Sequence, residues 1–255
     1  MKIRKKGLML SLAAIVLLGA CNKKNDTTET IKYGKFAFHL HTNVGDSEVE
    51  DYGENYLASN GDSMSLDFAQ LYISGIQLVK LDGSLLDVPK GKMLKDLATE
   101  AFIFNNVPVG NYKAVRFKVG LDATTNALAS TTPSDSTILN HSEMWFGNTS
   151  QPDGYIFANI QGKIDTSYNH SMKMADFSYK VGTNAHYVEV QMPDENFSIM
   201  EGSTGYAHMI IDYSKIFDGV DITNALNLQL NSVSDNGNAL ATKIAGNLPG
   251  MFHFE

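Results

Sequence analysis

The apolar runs of this chain are short, they alternate with polar residues, and turn-forming residues bound them; that pattern constrains the fold more than anything else in the sequence. The stretch FAFHLHTNV from Phe36 to Val44 is the clearest case. A β-strand sends successive side chains to opposite faces, so Phe36, Phe38 and Leu40 fall on one face and Ala37, His39 and His41 on the other. YISGIQLVKLDGSLLDV carries Ile73, Ile76, Leu78, Val79 and Leu81 up to Asp82-Gly83, a hairpin dipeptide. VPVGNYKAVRFKVGLD turns at Pro108 to Gly110 and then places Val115, Phe117 and Val119 on one face. GYIFANIQGKI, FSYKVG, HYVEVQM, YAHMIIDYSKIF and LNLQLNSV behave alike. No long 3.6-residue pattern competes, although KMLKDLATEA and TKIAGNLPGMF are expected as short helical turns. The expected fold is all-β, an antiparallel β-sandwich or barrel-like domain with long loops. The longest loop, Thr124 to Asp153, is polar and poor in strand signal, a length that usually marks function or disorder.

The N-terminus speaks to compartment. MKIRKKG is a basic leader, LMLSLAAIVLL is an apolar run too short to span a bilayer, and Leu18-Gly19-Ala20-Cys21 follows at once. This reads as a lipoprotein signal peptide over residues 1–20, with Cys21 as the acylated first residue of the mature chain. Cys21 is the only cysteine, so a disulfide framework is excluded. Residues 21–32 are polar and Thr-rich and read as a flexible tether, followed by a single domain over 33–255. Asn22, in place of an inner-membrane retention aspartate, points to the outer membrane of a Gram-negative cell envelope. Loss of residues 1–20 leaves 16 basic residues against 28 acidic ones. That balance excludes nucleic acid as a partner and leaves the lipid bilayer, reached through Cys21, as the attachment.

Taken in order, these pieces resemble the MbnP-like copper-binding protein family. FHLHTNVG, YLASNGDSMSLDFAQLYISGIQLVKLDG, VPVGNYKAVRFKVGLD, MWFGNTSQPDGYIFANIQG, FSYKVG, IIDYSKIF and KIAGNLPGMFHF carry the likeness across nearly the whole mature chain. The resemblance implies a periplasmic or lipid-anchored β-rich protein that binds copper through histidines, one from the first strand and others from distant loops. It also implies, in some relatives, a tryptophan oxidised to kynurenine beside the metal, with a dihaem cytochrome peroxidase as partner. The sequence departs from the family pattern in three places. Lys180-Val181-Gly182-Thr183 stands where relatives often carry His-Ile-Gly-Gly, Trp145 is the sole tryptophan, and four extra residues precede Gly154-Tyr155.

The residues themselves allow the same chemistry. Positions two apart on a strand lie about 6.6 Å from each other with side chains on one side, and imidazole suits copper or zinc. His39 and His41 are therefore either a polar strand face or half of a metal site. His141, four residues before Trp145, is a further candidate ligand, with Met144 and Trp145 as neighbours. His253 is a fourth, near the late histidine of the family. His170, among Met172 and Met174, reads as a solvated loop residue or as part of a second soft-metal patch, and His186 and His208 as ordinary polar positions.

The sequence lacks a Gly-x-Ser-x-Gly elbow, a Gly-x-Gly-x-x-Gly fingerprint and a His-Glu-x-x-His helix, and Asp235 to Asn238 reads as a plain turn. The chain is not expected to be an enzyme. The leading expectation is a copper protein for capture, buffering or delivery. The alternative is a surface module that binds glycan or protein through Tyr52, Tyr56, Trp145 and Tyr155.

Overall fold

A computed structural model describes residues 30–128, 137–147 and 154–255. The expected signal peptide, Cys21 and most of the 21–32 tether lie outside the described residues. The body from Ile31 to Glu255 forms one compact unit of two β-sheets. Its strands are β1 (Tyr33–Val44), β2 (Ser47–Glu48), β3 (Asn55–Leu57), β4 (Ser63–Lys80), β5 (Leu85–Asp87), β6 (Lys92–Lys95), β7 (Ala101–Pro108) and β8 (Gly110–Val119). After a short helix α1 (Ala123–Asn126) come β9 (Ile156–Asp165), β10 (Met174–Gly182), β11 (Val188–Gln191), β12 (Phe197–Ile199), β13 (Thr204–Asp212) and β14 (Gln229–Leu230). Helix α2 (Ala239–Asn247) and β15 (Phe252–Phe254) close the chain. The all-β sandwich expected from the alternation is the fold observed.

The first sheet runs β15-β13-β1-β2, with β7 also paired to β1. The second is built on β4, an 18-residue spine flanked by β8 and β9, with β10, β11, β12 and β14 beyond them. The period-two reading of β1 holds: Phe36, Phe38 and Leu40 are fully buried, while His39 and His41 are partly exposed. The buried set meets Leu71, Ile73 and Leu78 of β4 and Phe117 of β8 in one core. Phe38 touches Phe117 edge to face, with ring centroids 5.6 Å apart. Each such side chain contributes about 1.5–3 kcal/mol on burial.

The expected turns form. β4 folds back into β5 through Asp82-Gly83, where Gly83 adopts φ +86°, a left-handed conformation that costs glycine little. At Pro108 to Gly110 the chain leaves the first sheet for the second, and the Tyr112 hydroxyl ties the corner by donating to the Pro108 carbonyl at 2.7 Å.

Two expectations need correction. KMLK is strand β6 rather than a helical turn, because Leu71–Ser74 of β4 offers it a free edge. The sheets are also not uniformly antiparallel: β1 pairs with β13 in parallel, as does β10 with β14. TKIAGNLPGMF does form α2 and a following 3-10 turn.

Candidate metal centre

The outer face of the first sheet gathers imidazoles. The parallel register of β1 and β13 sets His39 beside His208, and His41 beside Ile210. Ring centroids lie 4.6 Å apart for His39 and His41, and 5.0 Å apart for His39 and His208. His208, read from the sequence as an ordinary polar position, thus belongs to the cluster. No local signal marks it, since its neighbour is supplied by a strand from the other end of the domain.

Carboxylates reach this face through a gap beside β1. Strand β7 starts opposite His39, where Ala101 pairs, and β2 ends opposite Asn43, where Glu48 pairs. Glu100 and Glu48 occupy the space between. Their local backbone is held on both sides, by Leu40 N–H donating to the Glu100 carbonyl at 2.9 Å and Val49 N–H donating to the Thr42 carbonyl at 2.8 Å. His41 Nδ1 lies 2.6 Å from Glu48 Oε1, and His39 Nε2 lies 3.6 Å from Glu100 Oε2. One ligand atom from each of His41, Glu48 and Glu100 falls within 4.8 Å of the others. His39 Nδ1 is buried without a hydrogen-bond partner. On the other side of His41, Glu255 Oε2 stands 3.9 Å from its Nε2 and 3.8 Å from His208 Nδ1.

A groove of about 830 Å³ opens from this end, lined by His41, Glu48, Tyr52, Gln70, Asp96 and Glu100 among others. Behind it Lys95 is fully buried, its ammonium donating to Thr42 Oγ1 at 3.0 Å and to the Asp96 carbonyl. Burial pushes its pKa down to about 8, against the pull of Asp96, Glu100 and Glu48.

The remaining candidates sit elsewhere. His253 is exposed and pairs with Ile210, so it shares the histidine face with Ile210 between it and His41. His141 caps a 3-10 turn on the second sheet's outer side, its Nδ1 3.0 Å from Glu143 Oε1. Burial pushes the Glu143 carboxyl up, but hydrogen bonds from its own backbone, His141 and Gln70 outweigh this and hold it below the usual range. His141 is therefore linked through Glu143 to Gln70, which lines the groove.

Met144 is fully buried in an apolar cluster with Tyr72, Leu121, Tyr155 and Phe157, which makes it a packing residue. Trp145 packs on that cluster, edge to face with Tyr155 at 5.8 Å, and its indole N–H is buried and unpaired. Tyr155 itself is 1 % exposed because its backbone bridges to Trp145 and its ring meets Tyr72, so it cannot serve as an exposed recognition aromatic. Lys180 pairs with Asn159, which pairs with Gln70, so Lys180 belongs to this second face. His186 is buried against the Gly182 carbonyl at 2.7 Å, and His170 lies 3.0 Å from Asp62 Oδ1.

These features define a β-sandwich of two sheets with a histidine–carboxylate cluster on one outer face. A family model described as MbnP matches residues 33–235, and the chain belongs to the MbnP family. MbnP from Methylosinus trichosporium shares the fold at 17% identity, with a TM-score of 0.52 over 76% of this chain and 80% of that one. A search of curated proteins gave no match.

Proposed function

We propose that this protein binds copper as Cu(II) on the outer face of the first sheet. It acts at the cell envelope, tethered to the outer membrane through acylated Cys21, and captures, buffers or delivers the ion rather than transforming a substrate. The observation that carries the reading is the convergence of His41, Glu48 and Glu100 within 4.8 Å, with His39 against Glu100. Family membership supports copper as the ion. The donor set fits it: imidazole nitrogen suits copper, and two carboxylates favour the divalent state over Cu(I), which prefers softer ligands. The unpaired Nδ1 of His39 leaves that ring without a competing partner on one side. A dihaem cytochrome peroxidase is the partner that the family resemblance suggests.

The test is copper stoichiometry on the full-length protein in detergent, dialysed against Cu(II) and, separately, Cu(I). Near-stoichiometric Cu(II) that is lost in a His39→Ala, His41→Ala double variant is the expected outcome. Uptake that the double variant retains would refute this placement.

A further inference from the structure

We infer that His41 serves two cation positions, one on each ring nitrogen, and that His208 and Glu255 complete the second. The inference rests on the proposed first position, where Nδ1 of His41 faces Glu48 and Glu100. The family match ends before this position is complete, since it covers His41 and His208 but Glu255 lies beyond residues 33–235.

On the Nε2 side of His41, one carboxylate oxygen of Glu255 faces two imidazole nitrogens. Glu255 Oε2 is 3.9 Å from His41 Nε2 and 3.8 Å from His208 Nδ1. Donors on one tetrahedral ion with bonds of about 2.0–2.1 Å stand roughly 3.3 Å apart, and opposed donors about 4.1 Å. Both carboxylate–nitrogen separations fall between those limits, so an ion drawing on Glu255 and either imidazole needs only small side-chain adjustments, and the exposed His208 and Glu255 side chains supply the movement that brings in the third donor. Two nitrogens and one carboxylate suit a divalent transition ion such as Cu(II) or Zn(II). About half of each of the His208 and Glu255 side chains is exposed, which leaves the remaining coordination open to water.

The two positions also differ in readiness. With Glu48 ionised, the 2.6 Å contact assigns the His41 N–H to Nδ1, donating to Glu48. In the neutral ring the lone pair then sits on Nε2, the nitrogen 3.9 Å from Glu255 Oε2. A carboxylate that holds one imidazole nitrogen while the other takes metal is a recurrent arrangement in metal sites. An arriving ion therefore meets a free nitrogen first at the His208–Glu255 position. Filling the Nδ1 position as well removes the ring's remaining N–H proton, which passes to solvent.

The experiment measures Cu(II) and Zn(II) stoichiometry and affinity on the full-length protein by equilibrium dialysis, alongside His208→Ala, Glu255→Gln and a Glu48→Gln, Glu100→Gln double variant. All four altered side chains are partly or largely exposed, and circular dichroism confirms that each variant is folded. The wild type is expected to take two ions. His208→Ala and Glu255→Gln should each weaken one by tenfold or more and leave the other unchanged, and the double carboxylate variant should do the reverse. A single ion in the wild type, unaffected by His208→Ala and Glu255→Gln, would overturn the second position and leave the proposed first one standing. A single ion lost in His208→Ala but kept in the double carboxylate variant would refute the first position, and with it the sharing of His41. No uptake in any protein would end both readings.

Discussion

The outer face of the first sheet leaves the imidazoles of His39, His41, His208 and His253 uncovered, whereas that of the second is roofed by residues 137–147, which bury Leu139 and Met144 against Tyr72, Tyr155 and Phe157. Both faces lie outside the main core, and both draw on the histidines and aromatics that stand out in the sequence. They differ in what the neighbouring strands bring. Beside β1, a gap between β7 and β2 admits Glu48 and Glu100. Beside β4 and β9, the row Gln70–Asn159–Lys180 carries amides and an ammonium, and the Asn159 amide is committed to the Glu143 carbonyl at 2.8 Å. Donor chemistry is concentrated on one face, and packing on the other.

The largest effect that would break this contrast concerns the roofed face. Met144→Ala is expected to destabilise the protein by about 2–4 kcal/mol, since it empties a fully buried apolar site. Its copper stoichiometry should equal that of the wild type. Thermal unfolding and dialysis on the same samples read both quantities, and a copper defect would make Met144 part of the centre rather than its distant packing.

On the open face a smaller effect is expected. Glu100→Gln should weaken Cu(II) binding about tenfold, or about 1.4 kcal/mol, by replacing an anionic donor with a neutral one. Trp145→Phe should leave that affinity within twofold. Equal losses in the two variants would mean that the faces act as one centre.

The smallest effect sharpens the electrostatics behind the groove. Lys95 titrates near 8 in the folded protein against an ordinary 10.5, so between those values the unfolded chain holds more protons and stability rises with pH. The cost of burying the ammonium is fully present below about pH 8 and is relieved above it. From pH 7 to pH 9 the metal-free wild type should gain about 1 kcal/mol relative to Lys95→Met. Parallel pH profiles for the two proteins in urea denaturation would show that Lys95 is not desolvated as its position implies.

How much of this was legible in the sequence depends on how far apart the interacting residues lie. The alternation of Phe36, Phe38 and Leu40 against His39 and His41 is written in nine adjacent residues, and the strand follows it. The Asp82-Gly83 turn is equally local. KMLK misleads because lysine, methionine and leucine suit a helix as well, and the free edge of β4 decides the matter. His208 looks unremarkable in YAHMII, since only a parallel pairing with β1 makes it a neighbour of His39. Glu48 and Glu100 carry no motif at all: each stands beside His41 because a strand starts or stops there. The expectation for His141 and Met144 rests on closeness to Trp145 in sequence, yet one residue pairs with Glu143 on the second sheet's outer side and the other packs inward.

The parallel pairing of β1 with β13 also has a consequence for the timing of assembly. A nascent chain displays the His-x-His pair almost as soon as its first strand emerges, but the strand that brings His208 is made near the end of synthesis. Contacts so distant in sequence form late, because a large loop must close before they yield any stabilisation. Half-made chains hold His39, His41, Glu48 and Glu100 but neither His208 nor Glu255. The complete row of imidazoles on this face is thus a property of finished molecules only, a delay written into the topology.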